Sequence, residues 1–269
     1  MAAVAKKQTN DEYHADRTAI SRSMISDFIA NPIEYRDKYV LRTVPHESSE
    51  VLDFGNLFHT LLLSPQELVQ FVEVPEWALN GSKKKSGRAF GSFARQHPGK
   101  TLVTGAEVAL ATRMAEVTKL AGRDHLAHSG YSELSIYWEC PYTGLKKKTK
   151  PDWFYSIEDG IVVVDYKSTE SHERFGSHFR RFRYWLQHPH YCEGVHALTG
   201  MWPNRFVYAA ASKDETPRYL EYELAPASQE KARDAYLRQC EKLADSIQRD
   251  VWELPESTVQ IIHLRDTDL

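Results

Sequence analysis

The chain has 269 residues, 42% hydrophobic and 26% charged, with a formal net charge of −3, so it is no basic coat protein and any nucleic-acid surface must be local. That length fits one elaborated α/β domain or two small ones, with room for a substantial core. No apolar run approaches membrane-spanning length, Met1-Ala-Ala-Val-Ala-Lys-Lys lacks a signal-peptide core, and the scattered Cys140, Cys192 and Cys240 point to a reducing cytosol without structural zinc.

Residues 1–18 are polar and read as a flexible N-terminus. Ile20, Met24, Ile25, Phe28 and Ile29 keep helical spacing until Asn31-Pro32, where a short aromatic helix, Pro32 to Tyr39, follows. Residues 42–50 read as a polar loop. Phe54, Leu57, Phe58, Leu61 and Leu62 then form a buried helical stripe, with His59 inside it. His59 is either a hydrogen-bonded core residue or a metal ligand facing a site. Ser64-Pro65-Gln66-Glu67 reads as a capping box that opens a further helix, and Thr104-Gly105-Ala106-Glu107 as another.

The most basic stretch lies between them, with Lys83, Lys84, Lys85, Arg88, Arg95 and Lys100 among Gly and Ser. It is either a solvated loop or a phosphate-contacting lid. From Tyr131 the pattern turns to β. Glu133 to Glu139 alternates toward a hairpin at Pro141–Gly144, and Leu145 to Thr149 returns. Residues 172–199 look helical, with Pro189 as a kink or restart. Arg174, Arg180, Arg181 and Arg183 alternate there with Phe175, Phe179, Phe182, Tyr184 and Trp185. This is an amphipathic helix or a nucleic-acid face. Arg205–Ala211 reads as a buried strand, 218–224 as an edge strand, and 228–249 as a long amphipathic helix.

The chain is organised around Lys150 to Lys167. Asp152 follows Pro151 at the start of one strand, Glu158-Asp159-Gly160 supplies a turn, and Ile161–Val164 is a β-branched run buried on both faces. Asp165 and Lys167, two apart, project to one side, and the hairpin brings Asp152 beside them. Two carboxylates and an ammonium at a dry strand end must pair or bind a metal.

In chain order come a helix with His59, a strand with Glu133, Pro151-Asp152, Asp165-x-Lys167, and Gln187-x-x-x-Tyr191 on one helical face. This order resembles the RecB-like branch of the PD-(D/E)xK nucleases. The blocks DEYHADRTAISRSMISDF, DFGNLFHTLLLSPQEL, ELSIYWECPYTG, KPD, VDYKST and RYWLQHPHYCEGV are similar in sequence and spacing to the catalytic domain of RecE-type exonucleases, over roughly residues 11–225. Three cysteines cannot supply the four-cysteine iron–sulfur cluster that some relatives carry.

The resemblance implies an α/β fold, a restriction-endonuclease-like PD-(D/E)xK core with a central mixed sheet flanked by helices. The nuclease domain would span 19–250, helical over 19–128 and catalytic over 129–250, with a C-terminal tail at 251–269. It also implies a Mg²⁺-dependent exonuclease, with Mn²⁺ as a substitute, degrading the 5′ strand of linear duplex DNA to leave a 3′ tail for recombination. The implied partners are double-stranded DNA ends, a RecT-like single-strand annealing protein and further copies in a ring-like homo-oligomer, in the cytoplasm of a bacterial host and encoded by a phage or prophage.

In this reading Asp152, Asp165, the Tyr166 carbonyl and His59 hold the metal, the nitrogen of His59 suiting Mn²⁺ better than Mg²⁺. Lys167 positions or helps deprotonate the attacking water, a role in which a neighbouring cation lowers its pKa. Gln187 and Tyr191 bond the site or the DNA backbone, and Glu133 either holds a second metal or braces Lys167. Ser168, Thr169, Arg180, Arg181, Arg183, Lys83, Lys84, Lys85 and Arg88 contact DNA. Competing readings are an endonuclease on the same core, an inactive DNA-binding module, and a metal enzyme of another reaction class.

Overall fold

The structure, a computed structural model, describes residues 3–44 and 50–253. It opens with strand β1 (Val4–Lys6) and helices α1 (Asn10–Ala15), α2 (Arg22–Ala30) and α3 (Pro32–Tyr35), the last passing into a π turn at Arg36–Val40. Helix α4 (Glu50–Leu63) is followed by a 3-10 turn (Pro65–Gln70), β2 (Phe71–Val74), α5 (Arg88–Gln96), β3 (Thr101–Thr104), α6 (Gly105–Ala121) and α7 (Arg123–Ala127). Next come β4 (Gly130–Ser132), β5 (Ser135–Glu139), β6 (Lys146–Thr149), β7 (Trp153–Ile157) and β8 (Gly160–Thr169). The chain ends with α8 (His172–Arg181), a 3-10 turn (Tyr184–Leu186), α9 (Gln187–Thr199), β9 (Arg205–Ser212), β10 (Tyr219–Tyr222) and α10 (Pro226–Arg249).

The central sheet has the order β10-β9-β8-β7-β4 and is mixed: β8 and β9 are parallel, and the other pairs antiparallel. Two smaller sheets, β1-β5-β6 and β2-β3, accompany it. Alternation along β8 explains its unbroken apolar run. Val162, Val164 and Tyr166 pack toward Phe54, Leu57 and Phe58 of α4 and Met114 of α6. Ile161 and Val163 face the other way, toward Phe175 of α8 and Cys192 and Val195 of α9. Each large apolar side chain buried here contributes about 1.5–3 kcal/mol, so the sheet is held between two helical layers.

Some elements depart from the sequence-based expectation. The N-terminus is not loose: β1 pairs with β5, Thr9 and Glu12 form a capping box on α1, and Tyr13 is buried. The Ser64 capping box does not form. Ser64 makes no cap bond, and its hydroxyl donates instead to the Glu133 carboxylate. Thr104 and Glu107 do form theirs. Strand β8 continues to Thr169, because pairing with β9 persists after β7 has ended, so Asp165 lies inside a strand rather than at its tip. The 172–199 segment breaks at Arg183, which takes the left-handed conformation (φ 50°), and Pro189 sits in the first turn of the restarted helix. The 45–49 part of the expected loop and the tail from 254 onward lie outside the described residues. The start of that tail is anchored, with Trp252 buried and stacked on Tyr35 at 5.7 Å.

Candidate active site

Pairing of β7 with β8 stops at Trp153 opposite Val164, so Asp152 sits just past the last rung. Its Oδ2 accepts the Tyr166 backbone N–H at 2.6 Å, continuing the ladder with a side chain. The N–H and C=O of one strand residue point toward the same neighbour, so the Tyr166 carbonyl is also directed past the end of β7, toward Asp152. It lies 3.5 Å from Lys167 Nζ. Asp165 and Lys167 project from the opposite face of β8, and the ammonium touches Asp165 Oδ2. The other Asp165 oxygen accepts from Gln187 Nε2 at 2.7 Å, and the same amide lies 3.3 Å from the Tyr191 hydroxyl. His59 reaches in from α4, with Nδ1 3.4 Å from Asp152 Oδ1. Thus Asp152, Asp165, Lys167, His59, Gln187 and Tyr191 converge from α4, the β7–β8 pair and α9.

Burial sets the electrostatics. Asp165 is 1% exposed, and its carboxyl is pushed up to about 6 by burial, with the Asp152 charge adding to the rise against the pull of Lys167. Asp152 is also desolvated, but His59 and Lys167 together with the Tyr166 N–H hold it below the ordinary carboxylate range. His59 is raised, because Asp152 outweighs the burial that opposes its charge. Lys167 is raised as well, burial being overcome by Asp165 and Asp152. The depressed lysine expected beside a cation is therefore not produced by the protein groups alone.

The donor set suits a hard divalent cation. Mg²⁺ is commonly held by one or two carboxylates and keeps several waters, and two carboxylates with a backbone carbonyl meet that need. Among the described residues no group of three or more His, Cys, Asp and Glu is placed to hold a metal ion, so His59, Asp152 and Asp165 do not form a ligand cluster by themselves.

Helix α9 is held so that its first turns face β8. Gly194 lets it approach β5 and β6: an added Cβ would lie 2.6 Å from Thr149 and 2.9 Å from Trp138. Glu193, one position before it, is bonded by Lys147 Nζ (3.0 Å), Trp138 Nε1 (3.0 Å) and the Tyr236 hydroxyl (2.6 Å).

The remaining expected site residues are placed as follows. Glu133 is not on a strand. It occupies a bend with φ 46°, donates its N–H to the Asp152 carbonyl, and pairs with Ser64 and, at 3.7 Å, with Lys150. It braces the chain around Asp152, and Lys167 is not its partner. Ser168 is half-buried next to the site, whereas Thr169 is buried and its hydroxyl donates to the Ser171 carbonyl at 3.0 Å, which removes it from phosphate contact. Arg180 and Arg181 are exposed at the end of α8, with half-buried Arg183 in the turn beyond. Lys83, Lys84 and Arg88 are exposed, and Lys83 lies 3.7 Å from Glu76. Lys85 is tied down instead, bonded to the Leu102 carbonyl at 3.2 Å and to Glu107 at 3.3 Å. The sequence reading left Tyr184 out of the site, yet its ring lies 5.0 Å from Lys167 Nζ. No motif spacing marks it, because the αL residue before it redirects the chain.

A mixed sheet between helices, with Pro-Asp and Asp-x-Lys meeting across adjacent strands, is the architecture of the PD-(D/E)xK superfamily, whose nucleases generally use divalent metal ions. The family model "PDDEXK-like domain of unknown function (DUF3799)" matches residues 21–259, and the chain belongs to that family. No curated protein matches the chain. Among solved structures it is similar in fold to a candidate exonuclease from Eubacterium rectale, with TM-score 0.58 and 19% identity over 91% of this chain and 86% of that one. A second, distant likeness is to protein VC1899 from Vibrio cholerae, with TM-score 0.27 and 10% identity over 92% of this chain and 58% of that one.

Proposed function

We propose that the chain is a Mg²⁺-dependent exodeoxyribonuclease that hydrolyses the 5′ strand of linear duplex DNA and leaves a 3′ tail for a strand-annealing protein. The observation that carries the hydrolytic reading is the convergence of Asp152, Asp165 and Lys167 beside β7 and β8, supported by Gln187. The 5′ polarity, the RecT-like partner and a ring-like homo-oligomer rest on the RecE-type sequence blocks.

Asp152, Asp165 and the Tyr166 carbonyl would hold the ion, with His59 beside Asp152 as a further donor that favours Mn²⁺. When bound, it polarises the scissile phosphate and acidifies the attacking water. The Tyr166 N–H fixes one oxygen of Asp152 and Gln187 fixes one of Asp165, while the second oxygens face His59 and Lys167. Lys167 carries a mobile proton at Nζ and places positive charge against the developing phosphorane. Tyr191 orients the Gln187 amide.

The test uses linear duplexes labelled at the 5′ or the 3′ end, beside a covalently closed plasmid, with and without Mg²⁺. The expected result is early release of the 5′ label, retention of the 3′ label in long product, an intact plasmid, and no reaction in chelator. Cutting of the plasmid would establish the endonuclease reading instead. Binding without any hydrolysis would leave a DNA-binding module.

A further inference from the structure

The catalytic lysine is linked to the surface by aromatic rings. Lys167 Nζ lies 5.0 Å from the Tyr184 ring centroid, and Tyr184 stacks on Phe182 at 5.8 Å with 30° between the planes. Tyr184 is fixed from behind: Phe179 meets it edge-on at 6.1 Å, and its carbonyl accepts the Tyr208 hydroxyl at 3.1 Å. Phe182 is 43% exposed.

The turn that carries Phe182 is well defined. The Phe182 N–H bonds the His178 carbonyl at 2.8 Å, the Arg183 N–H bonds the Arg180 carbonyl at 3.2 Å, and the Leu186 N–H bonds the Arg183 carbonyl at 3.0 Å. Arg183 adopts the left-handed conformation, uncommon for a residue with a Cβ, and this sets the turn between α8 and the next 3-10 turn. Against the exposed ring lie His178, with ring centroids 5.8 Å apart, and Arg181, over its face at 5.6 Å, near the outer limit of a cation–π contact.

An exposed aromatic on a rigid turn, with a guanidinium over its face and one ring away from the lysine of the active site, has the composition of a single-strand stacking site: a π face for the base and positive charge for the phosphates. A planar base can displace the long Arg181 contact and free that guanidinium for a phosphate. We propose that Phe182, backed by Tyr184 and flanked by Arg180, Arg181 and Arg183, is a stacking platform for the unpaired terminal base of the strand being hydrolysed. This inference rests on the nuclease reading and adds to it how a DNA end is told from duplex interior: only an end can splay a base onto the ring.

The test is equilibrium binding in Ca²⁺, which supports binding while suppressing cleavage. Three duplexes are compared: a blunt one, one with a single mismatched terminal base, and one with an abasic residue at that terminal position. The wild-type protein should bind the mismatched end about tenfold more tightly than the abasic end, as expected for one stacked base. Phe182→Ala should abolish that preference, Phe182→Trp should retain it, and all three proteins should share one melting temperature. A preference unchanged in Phe182→Ala would overturn the platform while leaving end-directed hydrolysis, measured separately in Mg²⁺, intact. Absence of DNA binding by the wild-type protein would overturn both readings.

Discussion

Lys167 and Asp165 share one contact but not one task. Lys167 touches Asp165 and faces Tyr184, which places its ammonium inside the candidate site rather than on the exposed face of α8. Lys167→Ala should lower the single-turnover cleavage rate by about 10²-fold or more and leave affinity for duplex ends nearly unchanged. Loss of binding with cleavage intact would remove Asp-x-Lys from the active site. Asp165 gives a pH prediction. Burial lifts its folded pKa to about 6, above the ordinary aspartate value of 3.8, so the folded chain binds this proton more tightly than the unfolded one. The stability it contributes is present at low pH and is lost as pH rises from about 4 to 6. The same proton competes with a cation. Apparent Mg²⁺ affinity should therefore fall by up to about tenfold per pH unit below about pH 6 and level off above it. Calorimetric titrations across that range check this, and a flat profile would contradict it. At this scale sequence reading worked where chemistry is local. Period-two spacing and the hairpin were enough to foresee that Asp152, Asp165 and Lys167 lie together, while Gln187 and Tyr191 were singled out by the RecB-like resemblance, their i, i+4 spacing only putting them on one face. Ser64 and Lys85 were misjudged because their partners, Glu133 and Glu107, are distant in the chain or reached only by folding.

Among the elements, α9 matters most to the site after β8, because it supplies both Gln187 and Tyr191. It is attached through Glu193, bonded to Lys147 on β6 and Tyr236 on α10. Lys147 has no exposed surface. Its charge is maintained because Glu193 and nearby groups outweigh burial. Glu193→Ala would leave that ammonium buried without its counter-charge, a change that typically costs about 3–5 kcal/mol. Urea unfolding should show a matching fall in midpoint with an unchanged m-value. A cost within about 0.5 kcal/mol would mean the network does not hold α9. Read from sequence, Lys146–Lys148 looks like a basic strand. Burial of Lys147 and Lys148 depends on partners from α1, α9 and α10 that no local pattern reveals. The same holds for β1, whose three residues become a strand only by pairing with β5, well over a hundred residues later. By contrast, the Phe54–Leu62 stripe of α4 and the apolar run of β8 were legible because each writes its burial as a periodicity.

For the whole molecule, fold and site agree: the mixed sheet between helical layers places the end of β7 beside the middle of β8, and the two carboxylates meet only because β8 outruns β7. The order of motifs along the chain foretold this architecture, while strand lengths and the N-terminal strand did not appear in it. Family membership covers residues 21–259 and so includes every element that builds the site. The most direct measurement is single-turnover hydrolysis of a linear duplex by the wild-type chain and by Asp152→Asn and Asp165→Asn, with Mg²⁺ binding followed calorimetrically on the same samples. The wild-type chain should cleave only with Mg²⁺, and each variant should fall below about one hundredth of its rate with weakened Mg²⁺ binding. Wild-type cleavage or unchanged Mg²⁺ affinity in either variant would contradict the assignment of these two carboxylates to the metal site.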